Sequence, residues 1–138
     1  GVSRTANGCS VTIGDRVVIN GVTLYLQEDH SRVSIGDDSQ LSWGVDVWCT
    51  DAHTITDLEG NPVNYAESIE IGRHVWVGKD VKIGKNVRIA DNIIVGWGSI
   101  VTKRFDEPNV ILAGTPAKIV KRGINWDRKC INKYTKGL

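Results

Sequence analysis

Nine Ile, Leu and Val residues share one phase of a six-residue period: Ile35, Leu41, Val47, Ile71, Val77, Ile83, Ile89, Val95 and Val101. The beat fails only across His53, Glu59 and Tyr65, and it resumes in step at Ile71. Those residue types fill 38 of the 138 positions, so nine coincidences have odds of about one in a hundred thousand before the choice of phase. A helix face repeats at about 3.6 residues and a strand face at about 2, so a period of six requires a short strand with a corner added. Such a repeat predicts a solenoid, in which three units close a triangular coil of about eighteen residues and coils stack at roughly the 4.8 Å spacing of paired strands.

Neighbouring positions fit the same geometry. Gly36, Gly72, Gly78, Gly84 and Gly96 follow the beat directly, with Ala90 in step, as a corner with little room for a side chain requires. Ser39, Val45, Val75, Val81, Val87, Ile93 and Ser99 stand four residues after it and form a second inward set. Charged and amide residues such as Arg73, Lys79, Asp80, Lys85, Asn86 and Asp91 fill the positions between, as an outer surface should. Two earlier units begin at Ile13 and Ile19, four residues out of phase, so the segment 25–33 must absorb the slip. Its polar run Gln27-Glu28-Asp29-His30 is expected to bulge outward, with Asp29 a candidate acceptor contact.

A single coil cannot bury its own apolar edge, so the chain reads as one domain over residues 1–138 in which several coils stack. Coils are expected at 11–52 and 71–106. Residues 53–70 lack the pattern and carry the turn signal Glu59-Gly60-Asn61-Pro62, which predicts a loop expelled from one corner. Residues 107–138 are expected to cap the open end, after a last extended piece at 110–114. From Ala117 onward Ile119, Val120, Ile124, Trp126 and Ile131 are spaced as a helix face, with a break at Gly123, so the cap is predicted to be helical.

The net charge of +1 gives no basis for nucleic acid or a membrane surface as the main partner. No run is long and apolar enough to insert in a membrane, and residues 1–30 show no signal peptide, although the start at Gly1 without Met leaves an upstream segment open. Cys9, Cys49 and Cys130 are odd in number and far apart, which fits free thiols in a reducing, cytoplasmic setting.

Chemistry concentrates at Cys49-Thr50-Asp51-Ala52-His53, the root of the expelled loop. A His matches general-base work near neutral pH, and a carboxylate two residues away can fix its tautomer. The same residues also fit an ordinary surface loop. No Gly-x-Ser-x-Gly motif or phosphate-cradling Gly-rich loop is present, so a covalent serine route has no support. His74 falls at an outward turn and reads as solvated. Trp48, Trp76 and Trp97 occupy outward positions, where each must pack against another subunit or line a ligand groove. The basic end, Lys118, Lys121, Arg122, Arg128, Lys129, Lys133 and Lys136 against Asp127, is either a solvated face or a holder of phosphates.

Over residues 35–121 the chain resembles the hexapeptide-repeat acyltransferases, whose fold is all-β, a left-handed parallel β-helix. The resemblance is carried by Ile71-Gly72-Arg73-His74-Val75-Trp76-Val77-Gly78, by Val95-Gly96-Trp97-Gly98-Ser99-Ile100-Val101-Thr102-Lys103, and by residues 113–121 around Pro116. It implies a homotrimer with acetyl-CoA lying between two coil stacks. His53, with Asp51 beside it, would take a proton from the acceptor hydroxyl. Trp76, Gly78, Trp97, Thr102, Lys103, Lys118 and Lys121 would hold the co-substrate, Trp97 standing where the family usually has Ala beside the pantetheine arm. Thr-Asp-x-His before a loop with Gly and Asn-Pro looks like the branch that acetylates surface polysaccharide, including O-antigen. The expected function is therefore acetyl transfer from acetyl-CoA to a hydroxyl of a free, nucleotide-linked or lipid-linked sugar, with no metal, and with Asp29 and Trp48 as candidate substrate contacts. Two alternatives compete. A β-helical scaffold needs no Asp-x-His at a loop root. A zinc enzyme like the gamma-class carbonic anhydrases would use the three His, but His53 and His74 are 21 residues apart and do not match its ligand spacing.

Overall fold

The computed structural model describes residues 6–134. The first coil holds β1 (Ser10–Ile13), β2 (Val18–Ile19) and β3 (Val22–Tyr25), and the second β4 (Arg32–Ile35), β5 (Gln40–Leu41) and β6 (Val45–Trp48). The third holds β7 (Ile69–Ile71), β8 (Trp76–Val77) and β9 (Lys82–Ile83), and the fourth β10 (Arg88–Ile89), β11 (Ile94–Val95) and β12 (Ile100–Val101). Each coil gives one strand to each of three parallel sheets, ordered β1-β4-β7-β10, β2-β5-β8-β11 and β3-β6-β9-β12. These are sides 1, 2 and 3 of the solenoid.

Every beat position from Ile35 to Val101 is at most 2% exposed, and the second inward set is equally buried. The inward serines are satisfied within the core: Ser39 Oγ donates to the Gly72 carbonyl at 3.0 Å and accepts from the Val75 amide at 3.0 Å. The corners have a period of their own. Asp38, Gly44, His74, Asp80, Asn86, Asn92 and Gly98 have φ between 53° and 69°, which Gly, Asn and Asp tolerate best. The Gly after the beat answers a different demand, close approach between coils: a Cβ on Gly36 would lie 2.5 Å from the Gly72 carbonyl oxygen.

Register explains the interruptions. Ile71 pairs with Ile89 and Val77 with Val95, eighteen residues on, whereas Ile35 pairs with Ile71 and Leu41 with Val77 at twice that distance. The loop thus takes one coil's length out of the stack and leaves the phase intact. Ile13 pairs with Ile35 at 22 residues, the expected four-residue slip, and the exposed Glu28, Asp29 and His30 form the bulge that absorbs it. Ile13 and Ile19 remain 48% and 41% exposed because β1 and β2 are the outermost strands of their sheets.

Two expectations are corrected. Ile69 and Glu70 belong to β7, where Ile69 pairs with Val33 and is buried, so the loop closes at Ser68 rather than at residue 70. The helical cap is not formed. Phe105 bridges to Ile89 to begin a fifth turn, β13 (Val110–Gly114) extends side 2, and β14 (Ala117–Arg122) pairs with β13 antiparallel. Ala117 is buried, Lys118 exposed and Ile119 half-buried, a period of two that the unpaired edge of side 2 selects over the helical spacing. A 3₁₀ turn at Ile131–Lys133 is the sole helical element among the described residues.

Beyond β14 the chain runs back along the corner between sides 1 and 2 as a strap. Asn109 Nδ2 donates to the Ile124 carbonyl at 3.0 Å, and Trp126 Nε1 to the His74 carbonyl at 2.8 Å. Arg128 donates to Gln40 Oε1 at 3.2 Å and to the Ser39 and Arg16 carbonyls at 2.9 and 2.8 Å. His74 is therefore not simply solvated: Trp126 stacks on it at 4.2 Å and 7°, and its Nδ1 lies 3.0 Å from Asn92 Oδ1.

Candidate active site

The expelled loop leaves side 3 at the end of β6. Cys49 is still buried, which pushes its thiol pKa up, and Thr50 is 3% exposed. Thr50 Oγ1 donates to Glu28 Oε1 at 2.6 Å and accepts the Ala52 amide at 2.8 Å. Ala52 adopts φ 64°, a left-handed turn that carries the chain away from the stack and leaves His53 exposed. The loop's far end docks on the next coil, where Asn86 accepts the Glu67 amide at 2.6 Å and donates to the Tyr65 carbonyl at 3.0 Å.

A cleft of about 710 Å³ opens between the polar bulge and this loop, lined by Gln27, Glu28, Asp29, Asp51, His53, Asn64 and Tyr65 among others. Three residues singled out in the sequence, Asp29, Asp51 and His53, thus meet in one place. Asp29 Oδ1 accepts the Asn7 amide at 2.8 Å. Asp51 Oδ2 takes Lys85 Nζ at 2.9 Å and Asn64 Nδ2 at 2.8 Å. The hydrogen bond from Lys85, then that from Asn64, holds the Asp51 carboxyl below the usual range. Asn64 also donates to the His53 carbonyl at 2.9 Å and accepts the Ile55 amide at 2.8 Å.

The other predicted contacts are dispersed over the single chain. Lys103 and Lys118 share a groove of about 410 Å³ with Arg104 and Arg122, tempered by Asp106 and Glu107. Thr102 and Lys121 are exposed, Lys121 on β14 opposite Ile111. Trp76 lies on side 2, 5.8 Å from Trp126, so the chain's own strap meets this outward indole. Both indoles line a cleft of about 820 Å³. Buried Gly78 follows it, where a Cβ would lie 2.8 Å from the Val95 carbonyl oxygen. Trp97 is 79% exposed at the corner between sides 2 and 3. Trp48 packs on Tyr25 with ring centroids 4.0 Å apart, on side 3. The basic end is not one face, since Arg122 pairs with Glu107 at 2.9 Å while Arg128 grips the first two coils, and Lys136 lies outside the described residues.

The sequence marked Lys85 only as an outer-surface residue and did not single out Asn64. Lys85 had a faint signal, because it follows Ile83 at the same corner as the loop one coil on; Asn64 sits in an aperiodic loop and had none. Among the described residues no three His, Cys, Asp or Glu side chains cluster to hold a metal ion.

No family model matches the chain. It is 40% identical over 123 residues to the polysialic acid O-acetyltransferase of Escherichia coli O1:K1, covering 88% of this chain and 39% of that protein. With the polysialic acid O-acetyltransferase of Neisseria meningitidis it shares 40% over 122 residues, 88% of this chain and 56% of the other. The chain therefore spans about half or less of the length of these relatives. The solved polysialic acid-specific acetyltransferase NeuO superposes with a TM-score of 0.85 at 36% identity, over 92% of this chain and 58% of that one. For the polysialic acid O-acetyltransferase OatWY the TM-score is 0.82 at 37% identity, over 94% and 65%. Repeat, three-sided stack and these likenesses agree: the chain is a left-handed parallel β-helix, similar over most of its length to the polysialic acid O-acetyltransferases.

Proposed function

We propose that the chain carries the catalytic domain of an acetyl-CoA-dependent O-acetyltransferase acting on a sugar hydroxyl of surface polysaccharide. The observation that carries this reading is His53, exposed on a loop expelled from the β-helix and lining a cleft of about 710 Å³, in a chain 40% identical to two polysialic acid O-acetyltransferases. His53 removes the hydroxyl proton as the oxygen bonds to the thioester carbonyl carbon; the C–S bond then breaks and His53 returns the proton to the departing thiolate. Asp29 and Trp48 stand as acceptor contacts. Lys103, Lys118, Lys121 and Thr102 suit the phosphates, and Trp76, Gly78 and Trp97 the pantetheine arm. The chemistry needs no metal.

Because His53 sits where side 3 turns to side 1 while Trp76 faces out from side 2, a site using both needs two copies of the chain. The assembly we propose is a cytoplasmic homotrimer with three such sites. The test is thiol release from acetyl-CoA with a panel of free, nucleotide-linked and lipid-linked sugars, alongside calorimetric titration of acetyl-CoA. Acceptor-dependent thiol release supports the reading; absence of both release and binding at millimolar acetyl-CoA overturns it in favour of a scaffold.

A further inference from the structure

One side chain fastens the root of the expelled loop at three points. Asn64, 11 residues beyond His53, donates from Nδ2 to the His53 carbonyl at 2.9 Å and to Asp51 Oδ2 at 2.8 Å, while its Oδ1 accepts the Ile55 amide at 2.8 Å. Residues 51, 53 and 55 are thus held by a single amide group. Asp51 is in turn tied to the body of the stack by Lys85 at 2.9 Å, so the clasp is anchored to the next coil. The residue type matters. A primary amide alone among neutral side chains of this size offers two donors and an acceptor, and all three capacities are used. Asn64 is half-buried, as are Ala66 and Ser68, and its three hydrogen bonds lie toward the solvent, so the clasp holds by their number and not by burial.

A general base on an exposed loop has to be held near hydrogen-bond reach of its proton, since a misplacement of about 1 Å can cost about 10²-fold in rate. We propose that Asn64 is the positioning residue for His53, and that its amide couples the Asp51 carboxylate to the His53 backbone. This rests on His53 being the general base. The carboxylate and the His53 carbonyl share the two N–H donors of one nitrogen, so the geometry of one fixes that of the other.

The experiment compares Asn64→Ala and the near-isosteric Asn64→Asp, which keeps the acceptor but loses both donors, in the full chain. Both are expected to lower kcat about 10- to 100-fold with KM for acetyl-CoA within about two-fold, and to have little further effect in a His53→Asn background. A purely structural role would instead lower the melting temperature and act equally in both backgrounds. Independently of turnover, the imidazole resonance of His53, identified by its loss in His53→Asn, should broaden or shift in both Asn64 variants while those of His30 and His74 stay in place. An unchanged His53 resonance with unchanged kcat would overturn the assignment. Should the wild-type chain transfer no acetyl group, the functional reading fails while the resonance still decides whether Asn64 holds His53.

Discussion

At His53 the expected loss is that of a proton acceptor: His53→Asn should lower turnover by about 10²- to 10⁴-fold with acetyl-CoA affinity little changed, checked by steady-state kinetics and calorimetry. A variant keeping more than about a third of the wild-type rate would move the base elsewhere. Asp51 behaves differently because its carboxyl is already engaged. Lys85 first and Asn64 second hold its pKa low, so its contribution to stability is present above the unfolded-state value of about 3.9 and lost as pH falls through the lower folded value. The clasp is therefore intact across the neutral range, and rate changes there do not arise from Asp51. Asp51→Asn should melt slightly below wild type at pH 7, the effect being small for so exposed a group, and the two curves should converge below about pH 4 in scanning calorimetry.

Coil-to-coil contact is tightest where one corner lies on the next, and two glycines differ sharply in this respect. A Cβ on Gly36 would meet the Gly72 carbonyl oxygen at 2.5 Å, whereas one on Gly84 would have the Val101 carbonyl oxygen at 3.7 Å. Gly36→Ala should cost about 1–3 kcal/mol in chemical denaturation, while Gly84→Ala should be neutral or stabilise by up to about 1 kcal/mol. The stack was legible in the sequence because the narrow interior of each coil accepts an aliphatic residue at every sixth position, and register preserves that phase even across the expelled loop. The C-terminal element was not, because Ile119 and Val120 suit helix and strand alike and the open edge of side 2 made the choice. The loop root was half legible. His53 and Asp51 are neighbours in the sequence, but Asp29 joins their cleft only through the fold, whereas Asn64 lies where no period exists, and the strap that meets Trp76 joins residues far apart in the chain.

As a whole, the molecule spreads its proposed co-substrate contacts over several sides, and a mass near three chains in light scattering at micromolar protein is the expected outcome; a monomer would remove the shared site. The strap has a separate consequence. A pile of repeats joined only to their neighbours frays from its ends, each coil opening with little regard to the far side. Here Arg128 reaches the Arg16 carbonyl 112 residues away, while Trp126 holds the third coil at His74. The newest coil is thereby chained to the oldest, and the array becomes a closed circuit in which the first coil cannot peel off until the tail lets go. Arg128→Ala should speed amide exchange in β1 and β2 at least about ten-fold while β8 and β11 keep their protection. Equal protection of β1 and β2 in both proteins would mean that the ends unzip independently after all.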